Sequence, residues 1–293
     1  MLTAPVGRLN YFDILQAQGK YQNQPPFPFV LGAEFAGRIA ANSPIPPGCP
    51  YKRGDRVFGA AQGSYADKVA ANWNQLLPVP KSLTFRQAAG LFVTWPTSYE
   101  ALTGRAQLKP GEWCLVHAGA GGVGLCAIQI AKALGAKVIA TASTPAKREV
   151  CTKHGKADHA IDYTKPGWQQ EVMKITGGKG VDSLKCIAWK GRALVIGFAA
   201  GQIEKLPLNL VLLKNISIVG THWGAYAKFD KGRQKEVWAD LFALLESGSI
   251  QPVVYDEQFT LEQVSEALVA LEQRKTWGKA ILTVREEDGQ ARL

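Results

Sequence analysis

Apolar and polar residues follow two different periods in the second part of the chain. Short apolar runs of strand length are followed by segments in which apolar positions recur every three or four residues, as in an amphipathic helix. This pattern predicts strands at Trp113 to His117, Lys137 to Thr141, His159 to Ile161, Ala193 to Gly197 and Ser217 to Gly220. It predicts helices at Gly122 to Leu134, Pro145 to His154, Gly167 to Thr176 and Lys235 to Leu245. Such alternation is typical of a doubly wound parallel sheet with helices on both faces.

The first part of the chain has a different texture. Up to about Gly90 it is rich in proline and glycine, and short pieces such as Phe35 to Ala40 indicate strands and irregular loops. Helical character begins after Ser82. The tail adds a strand near Val253, a helix from Leu261 to Glu272 and a strand from Ala280 to Val284. We therefore expect two domains with a boundary near residue 90.

The composition is that of a globular protein with a cationic surplus. Of the 293 residues, 46% are hydrophobic and 20% are charged, and the formal net charge of +10 suits an anionic partner such as a nucleotide phosphate. The five cysteines form no C-x-x-C pair, which favours a reducing compartment. No apolar run approaches the roughly 18 residues of a membrane helix, and the N-terminus lacks the apolar region of a signal peptide. We expect a soluble, cytoplasmic protein with no membrane partner.

One glycine-rich segment carries a specific chemical signal. His117 to Gly124 contains G-x-G-x-x-G directly after a predicted strand and at the start of a predicted helix. Gly119 permits the tight turn, Gly121 lets the backbone approach a pyrophosphate, and Gly124 allows the helix to pack closely on the strand. The turn is completed by Ala120, Gly122 and Val123. This context predicts a dinucleotide-binding site.

The residues after the second strand bear on which dinucleotide binds. NAD sites usually place an Asp or Glu there to bind the ribose 2′-OH. This chain has no acid from Trp113 to Arg148, and the strand leads into Thr144, Lys147 and Arg148. Basic side chains at this point can neutralise a 2′-phosphate, so the pattern favours NADP(H). The alternative is that the two basic residues belong to a solvated helix face.

Short motifs are spread over nearly the whole chain. They are Asn10-Tyr-Phe-Asp13, Gly19-Lys-Tyr21, Gly32-Ala-Glu34-Phe-Ala-Gly37, Gly54-Asp55-Arg56-Val57, Ala118 to Gly124, Gly197-Phe198-Ala-Ala-Gly201 and Trp277-Gly-Lys279. In this order they resemble the zinc-independent, zeta-crystallin-like quinone oxidoreductases of the medium-chain dehydrogenase/reductase superfamily. The resemblance implies a Rossmann doubly wound parallel sheet inserted in a GroES-like, mostly β catalytic domain. It implies a GroES-like domain of residues 1–90 and 250–293, a Rossmann NADPH-binding domain of residues 91–249, and a homodimer.

The resemblance also implies which residues line the substrate cleft. Asn10, Asp13 and Tyr21 match these family positions, and Tyr21 or a water would supply a proton to the reduced oxygen. A purely structural role remains an alternative for two of these residues. Tyr21 is also explained as an aromatic residue packed in a proline-rich loop, and Asn10 as an amide that caps a turn.

Further residues are implied for the cofactor. Outside the glycine-rich turn they are Thr97, Ser143, Lys147, Tyr163, Gly197 and Phe198. The threonine would contact the nicotinamide, and the Gly-Phe pair would cover its ring. The lysine and tyrosine match positions that hold the 2′-phosphate in the family. The implied cofactor is therefore NADPH.

Zinc chemistry is not expected. The catalytic ligands of the alcohol dehydrogenase branch fall on Asn10, Ala33 and Val93, and none of these is a competent Cys or His ligand. A lobe of four closely spaced cysteines for structural zinc is also missing from the sequence. We therefore expect no metal site.

Two departures from the family pattern stand out. Family members begin with a further N-terminal stretch, so the GroES-like domain is expected to be shortened here. Between Asp182 and Ser183, this sequence lacks a strand and turn that the family has. A covalent join there would remove a central parallel strand and expose its neighbours' edges. We predict that residues are omitted at this junction, and that Asp182 C and Ser183 N lie far beyond peptide-bond distance.

The sequence thus predicts an NADPH-dependent reductase that acts on quinones or related conjugated carbonyls without a metal. The runner-up is an alkenal or enoyl reductase that uses NADPH. A non-catalytic relative that binds NADPH or RNA is the alternative from another class, permitted by the net charge of +10. A nucleic-acid partner is not expected, because the sequence shows no RNP, KH or zinc-finger pattern and the glycine-rich turn already accounts for an anionic ligand.

Overall fold

The structure is a computed structural model that describes residues 2–21, 24–181, 186–198 and 205–284. The strands are β1 (Leu2–Arg8), β2 (Glu34–Ile39), β3 (Arg56–Ala60), β4 (Lys68–Val69), β5 (Leu76–Pro78), β6 (Trp113–Val116), β7 (Lys137–Thr141), β8 (His159–Ile161), β9 (Arg192–Val195), β10 (Ser217–Gly220), β11 (Phe259–Thr260) and β12 (Ile281–Thr283). The α-helices are α1 (Tyr11–Ala17), α2 (Phe85–Ala88), α3 (Thr94–Glu100), α4 (Gly122–Ala133), α5 (Pro145–Lys153), α6 (Trp168–Ile175), α7 (Leu208–Leu213), α8 (Tyr226–Phe229), α9 (Lys231–Glu246) and α10 (Val264–Glu272). A π-helical turn, Ala101–Arg105, continues α3. The chain divides into two compact units, Met1–Val93 with Pro252–Leu293 and Thr94–Gln251.

The first unit is built on one continuous sheet. Its strand order is β11-β12-β1-β2-β3-β5, with β4 paired to β1, and all pairs except β11 with β12 are antiparallel. Phe35, Val57 and Leu76 belong to an apolar cluster on this sheet, and a second cluster joins Leu282 to Ala267 of α10. A segment near each end of the chain therefore contributes to one core.

Helix α1 corrects the expectation that residues up to about Gly90 hold strands and irregular loops. Asn10 precedes the helix in an extended conformation, and its backbone N–H donates to Asp13 Oδ2 at 2.7 Å. This contact between the N-cap and the third helical residue is half of a capping box. Ile14 is buried on the inner face of the helix. The helix is short, and its signal is the N-x-x-D spacing rather than a long apolar period.

The second unit contains two wholly parallel sheets, which confirms the predicted α/β class. Strands β6, β7 and β8 form one parallel sheet, and β9 and β10 form another. Apolar residues of the first of these sheets, including Leu115, Ile139 and Ile161, pack on Val172 of α6. Strands β6 and β7 are mostly buried, so they appear in the sequence as short apolar runs rather than as alternating patterns.

The parallel ladder is interrupted between β6 and β9. Within the described ranges, no strand pairs with both of them, and the chain between β8 and β9 contributes a single parallel bridge from Val181 to Ile187. If a central strand were absent, each of its two neighbours would be left unpaired on one side, as β6 and β9 are among the described strands. The Asp182–Ser183 junction itself lies outside the described residues, so the predicted omission there stays a prediction.

None of the helices in the described part of the chain is both long enough and apolar enough to cross a membrane.

Candidate functional site

The glycine-rich turn brings β6 and α4 into very close contact. Gly119 N donates to Thr141 O at 2.9 Å and Gly121 N donates to Ala118 O at 2.8 Å, which closes the turn. A Cβ added at Gly124 would collide with the Ala118 carbonyl oxygen and lie 2.9 Å from Gly119 Cα. Only glycine fits there, and the first turn of α4 presents backbone N–H groups that have no acceptor within the helix. The geometry is that of an anion cradle.

The other sequence-predicted cofactor residues of this unit follow the carboxyl ends of its strands. Ser143 and Lys147 lie just after β7, Tyr163 lies just after β8, and Gly197 and Phe198 lie just after β9. The carboxyl ends of parallel strands are where open α/β sheets bind ligands. Partial exposure of these side chains, such as the 46% of Phe198, leaves surface for contact with a ligand.

Two details bear on the charge near Lys147. Its backbone N–H donates to Oγ1 of Thr144, the N-cap of α5, so the lysine occupies the first turn of this helix. Arg148 pairs with Asp162 at 3.0 Å. Hydrogen bonds from Thr164 and the nearby Arg148 guanidinium hold the pKa of Asp162 below its usual range. Arg148 thus forms an ion pair with the Asp162 carboxylate, a partner that the sequence did not reveal.

Thr97 is held beside the glycine-rich turn by its neighbour in α3. Ser98 Oγ donates to the carbonyl oxygen of Val123 at 2.9 Å, and Thr94 contacts the thiol of Cys126 at 3.4 Å. Both contacts join α3 to the first two turns of α4. Thr97 is half-buried next to this junction.

In the first unit, Asn10 and Asp13 are part of a buried polar cluster. Asn10 Nδ2 donates to Glu34 Oε2 at 2.9 Å, and Tyr65 Oη donates to Asp13 Oδ2 at 2.7 Å. Arg8 forms an ion pair with Glu34, its direct partner across β1 and β2. Every member is buried, and Asp13 and Glu34 have no exposed surface. Side chains from two strands, a helix and a loop therefore meet at one point.

Glu34 is the centre of this cluster. Burial alone would raise the pKa of Glu34, but the charges of Arg8 and Lys279 and the hydrogen bond from Asn10 hold it below its usual range. Its second oxygen accepts from Val93 N at 2.7 Å. The Glu34 carboxylate is thus ionised, and both of its oxygens accept hydrogen bonds.

Asp13 has the opposite environment. Burial raises the pKa of Asp13 from 3.8 to about 6, against the lowering effect of the hydrogen bonds from Tyr65 and Asn10. Burial and the nearby Asp13 also raise the pKa of Tyr21. The Tyr21 ring stacks on Phe12 with centroids 5.4 Å apart, and it is half-buried. Asp13 can therefore change its charge near neutral pH, while Tyr21 remains a proton donor.

The positions that correspond to zinc ligands surround the Glu34 carboxylate instead. Asn10 and Val93 both donate to it, and Ala33 precedes it in the chain. Sequence reasoning gave no role to Arg8, Glu34, Tyr65 or Lys279. The sequence did contain a signal for Glu34 and Lys279, because each is a charged residue beside an apolar run of strand length.

Comparisons with known proteins agree with this geometry. The alcohol dehydrogenase GroES-like domain family matches residues 6–81, and zinc-binding dehydrogenase families match residues 122–184 and 156–282. A quinone oxidoreductase-like protein 2 homolog of Nematostella vectensis is 35% identical over 95% of this chain and 80% of its own length. The chain belongs to the zeta-crystallin-like family of medium-chain dehydrogenase/reductase oxidoreductases. The first unit is its GroES-like unit and the second is its Rossmann unit.

Two further relatives place the chain within this family. The quinone oxidoreductase of Pseudomonas aeruginosa is 33% identical over 94% of this chain and 87% of its own length. The structure of Escherichia coli quinone oxidoreductase complexed with NADPH superposes with a TM-score of 0.85 at 29% identity, covering 97% of this chain and 90% of that one. The expected GroES-like and Rossmann folds are thereby confirmed.

Proposed function

We propose that this oxidoreductase reduces quinones or related conjugated carbonyls with NADPH. The observation that carries the proposal is the cradle at Gly119, Gly121 and Gly124, where a Cβ at Gly124 would collide with the Ala118 carbonyl. A close turn at a helix N-terminus accepts a pyrophosphate through backbone N–H groups. Relatives with quinone oxidoreductase activity in their names, and a relative in complex with NADPH, support the same reading.

The 2′-phosphate is proposed to lie against Ser143, Lys147 and Tyr163, at the ends of β7 and β8. Asp162 lies near this position, but its pairing with Arg148 at 3.0 Å offsets its negative charge. The Lys147 ammonium then supplies the charge that favours a phosphate over a hydroxyl group. NADPH, when bound, supplies a hydride to the acceptor.

The GroES-like unit is proposed to supply the proton chemistry through Asn10, Asp13 and Tyr21. Tyr21 is a neutral hydroxyl whose raised pKa keeps its proton available to an acceptor oxygen. Asn10 holds its amide in a fixed orientation by donating to Glu34 Oε2 at 2.9 Å. Asp13 is a buried carboxyl whose pKa is raised to about 6, and its charge raises the pKa of Tyr21.

Zinc independence is part of the proposal. Asn10 and the Val93 backbone are engaged with Glu34, and an amide, an alanine and a valine do not form a tetrahedral nitrogen and sulfur site. Elemental analysis of the purified protein checks this point. Stoichiometric zinc retained after brief chelation would contradict it.

Calorimetric titration of NADPH and NADH tests the cofactor assignment. Lys147→Ala should weaken NADPH by about 1 to 3 kcal/mol, the range for a charge-assisted hydrogen bond, and leave NADH unchanged. Lys153→Ala, in the last turn of the same helix, is the matched control and should affect neither cofactor. Equal losses of both cofactors in Lys147→Ala would refute a 2′-phosphate contact.

An acceptor panel tests the reaction. Turnover of a simple quinone should exceed that of an enal or enone, and the reverse order would favour the alkenal or enoyl reductase alternative. NADPH binding without turnover of either acceptor would favour the non-catalytic alternative, and RNA binding is then the next measurement.

A homodimer and a cytoplasmic location complete the proposal. Helix α7 exposes Leu208, Leu212 and Leu213 by 69% to 79%, an apolar face beside the two-stranded sheet that a second copy can cover. Light scattering should give twice the monomer mass of 31.7 kDa, and Leu212→Glu should halve it. All five cysteines are free thiols, which supports a reducing compartment.

A further inference from the structure

The two oxygens of the Asp13 carboxyl have different environments. Oδ2 accepts hydrogen bonds from Tyr65 Oη and from Asn10 N, each at 2.7 Å. Oδ1 is buried and has no hydrogen-bond partner among the described residues. A buried carboxylate oxygen without a donor is costly, so it indicates a place where a proton or another donor binds.

The charged neighbours of Asp13 do not meet this need. Arg8 pairs with Glu34 through Nη1, its buried Nε has no hydrogen-bond partner among the described residues, and Glu34 opposes a second negative charge nearby. The charge of Asp13 raises the pKa of two tyrosines, Tyr65, which donates to Oδ2, and the half-buried Tyr21. Because Asp13 is fully buried, proton exchange at Oδ1 has to pass through a neighbouring group.

Tyr65 lies between two acceptors. Its hydroxyl is 2.7 Å from Asp13 Oδ2 and 3.2 Å from the carbonyl oxygen of Arg8, and it has one proton to donate. Its ring packs against Gly32, where an added Cβ would overlap the ring and where φ is +91°. The ring is thus fixed, while the hydroxyl proton can turn from one acceptor to the other.

We propose that Tyr65 is a positioning residue for acid–base chemistry at Asp13. Its hydroxyl donates to Oδ2 when the carboxyl is ionised and to the Arg8 carbonyl when the carboxyl carries a proton. Both protonation states of Asp13 are thereby held in one geometry, and Tyr21 is the group that exchanges a proton with Oδ1. This inference rests on the proposed reduction, in which Asp13 restores the proton that Tyr21 gives to the acceptor oxygen.

The proton balance of this cycle is simple. NADPH, one proton and a quinone give NADP⁺ and a hydroquinone, with both electrons carried by the hydride. Tyr21 Oη–H breaks as the new hydroxyl of the product forms, and Tyr21 takes the proton of Asp13. The Asp13 carboxylate then regains a proton from solvent through Tyr21.

The first experiment needs no turnover. The Asp13 carboxyl carbon is followed by NMR during a pH titration, and its signal is assigned by its loss in Asp13→Asn. In Tyr65→Phe the midpoint should rise by about one pH unit from its wild-type value near 6, because a hydrogen bond to the ionised form is lost. Tyr51→Phe is the matched control, since Tyr51 donates to the Leu76 carbonyl oxygen at 2.8 Å and its removal should leave the midpoint unchanged.

The second experiment measures kcat/KM for a quinone against pH. Activity should fall as the pH rises through about 6 in the wild type, and this fall should move to higher pH in Tyr65→Phe while the Kd for NADPH stays constant. Damage to the fold would lower activity at every pH instead. An NMR midpoint that does not move overturns the positioning role, and a midpoint that moves without the activity profile overturns the acid–base role. If the wild type reduces neither acceptor class, the proposed function fails, whereas the NMR result still decides whether Tyr65 positions Asp13.

Discussion

The GroES-like and Rossmann units use charge in opposite ways. In the GroES-like unit, Arg8 and Glu34 form an ion pair with side-chain exposures of 6% and 0%, and Asp13 and Lys279 are buried beside it. In the Rossmann unit, each described ion pair keeps at least one partly exposed side chain, as in the 26% and 35% of Arg192 and Glu112. Buried charge is costly unless it is paired, so its concentration in the GroES-like unit fits the proposal that side-chain chemistry takes place there.

The Rossmann unit provides its site mainly through backbone geometry. The cradle depends on three glycines and on the start of α4, and the residues proposed for the 2′-phosphate follow β7 and β8 in the chain. The comparison therefore separates two kinds of sensitivity. Changes of charge should act on the first unit, and changes of size at glycine should act on the second.

The largest effect is expected for Glu34→Gln, which leaves the Arg8 guanidinium buried without a counter-charge. We expect a loss of about 3 to 5 kcal/mol in the free energy of unfolding, measured in urea. Glu112→Gln breaks the partly exposed pair with Arg192 and should cost less than about 1 kcal/mol. Similar losses for the two variants would remove the contrast between the units.

Asp13→Asn should change how stability depends on pH. The folded state holds the Asp13 proton more tightly than the unfolded state, because the pKa rises from 3.8 to about 6. The wild type therefore loses stability as the pH rises between these values, and the variant does not. The stability difference should shift by about 2.4 kcal/mol in favour of Asp13→Asn between pH 4 and pH 7.

Asp158→Asn in the Rossmann unit is the control of opposite sign. Despite partial burial, hydrogen bonds from Lys132 and the Val138 backbone hold the pKa of Asp158 below its usual range. Its contribution is present above the unfolded pKa and is lost as the pH falls. Asp158→Asn should therefore become less stable relative to the wild type as the pH rises. A shift of relative stability in the same direction as that of Asp13→Asn would contradict the two pKa assignments.

Gly124→Ala tests the cradle. The new Cβ meets backbone atoms of Ala118 and Gly119, which cannot move away as a flexible side chain can. We expect NADPH to bind about 10- to 100-fold more weakly, which corresponds to an overpacking cost of about 1 to 3 kcal/mol. Gly220→Ala has no atom within 4 Å of its new Cβ and should bind as the wild type does.

The smallest effect concerns the interrupted ladder. Strand β2 is paired on both sides, whereas β6 and β9 each have one partner among the described strands. Hydrogen exchange should give lower mean protection for the amides of β6 and β9 than for those of β2. Equal protection would indicate that another segment covers the free edges.

Much of the Rossmann unit is predictable from the sequence. The predicted bounds of β7, β8 and β10 agree with the structure to the residue, because each is a short apolar run bounded by turn signals. Helices α1 and α7 were missed because each is too short for a sustained apolar period. The strand predicted near Val253 is reduced to one bridge between Val254 and Lys279.

The polar cluster of the GroES-like unit was beyond sequence reasoning for a different reason. Arg8 and Glu34 meet through the register of β1 on β2, and Tyr65 reaches Asp13 from a loop far along the chain. Register and loop paths depend on tertiary packing, which local patterns do not contain. Asn10 and Asp13 were therefore named as site residues without the partners that determine their chemistry.

The thiol beneath the glycine-rich turn has a consequence for the electric field at the cradle. A Cβ at Gly119 would lie 2.9 Å from Cys151 Sγ, so the sulfur forms the floor of the turn. Burial raises the pKa of Cys151 to about 12, and the floor is therefore uncharged at physiological pH. The dipoles of the α4 N-terminus act on the proposed pyrophosphate without an opposing charge from below. Cys151→Asp would place a carboxyl beneath the cradle, and its ionised form would weaken the attraction of the cradle for an anion.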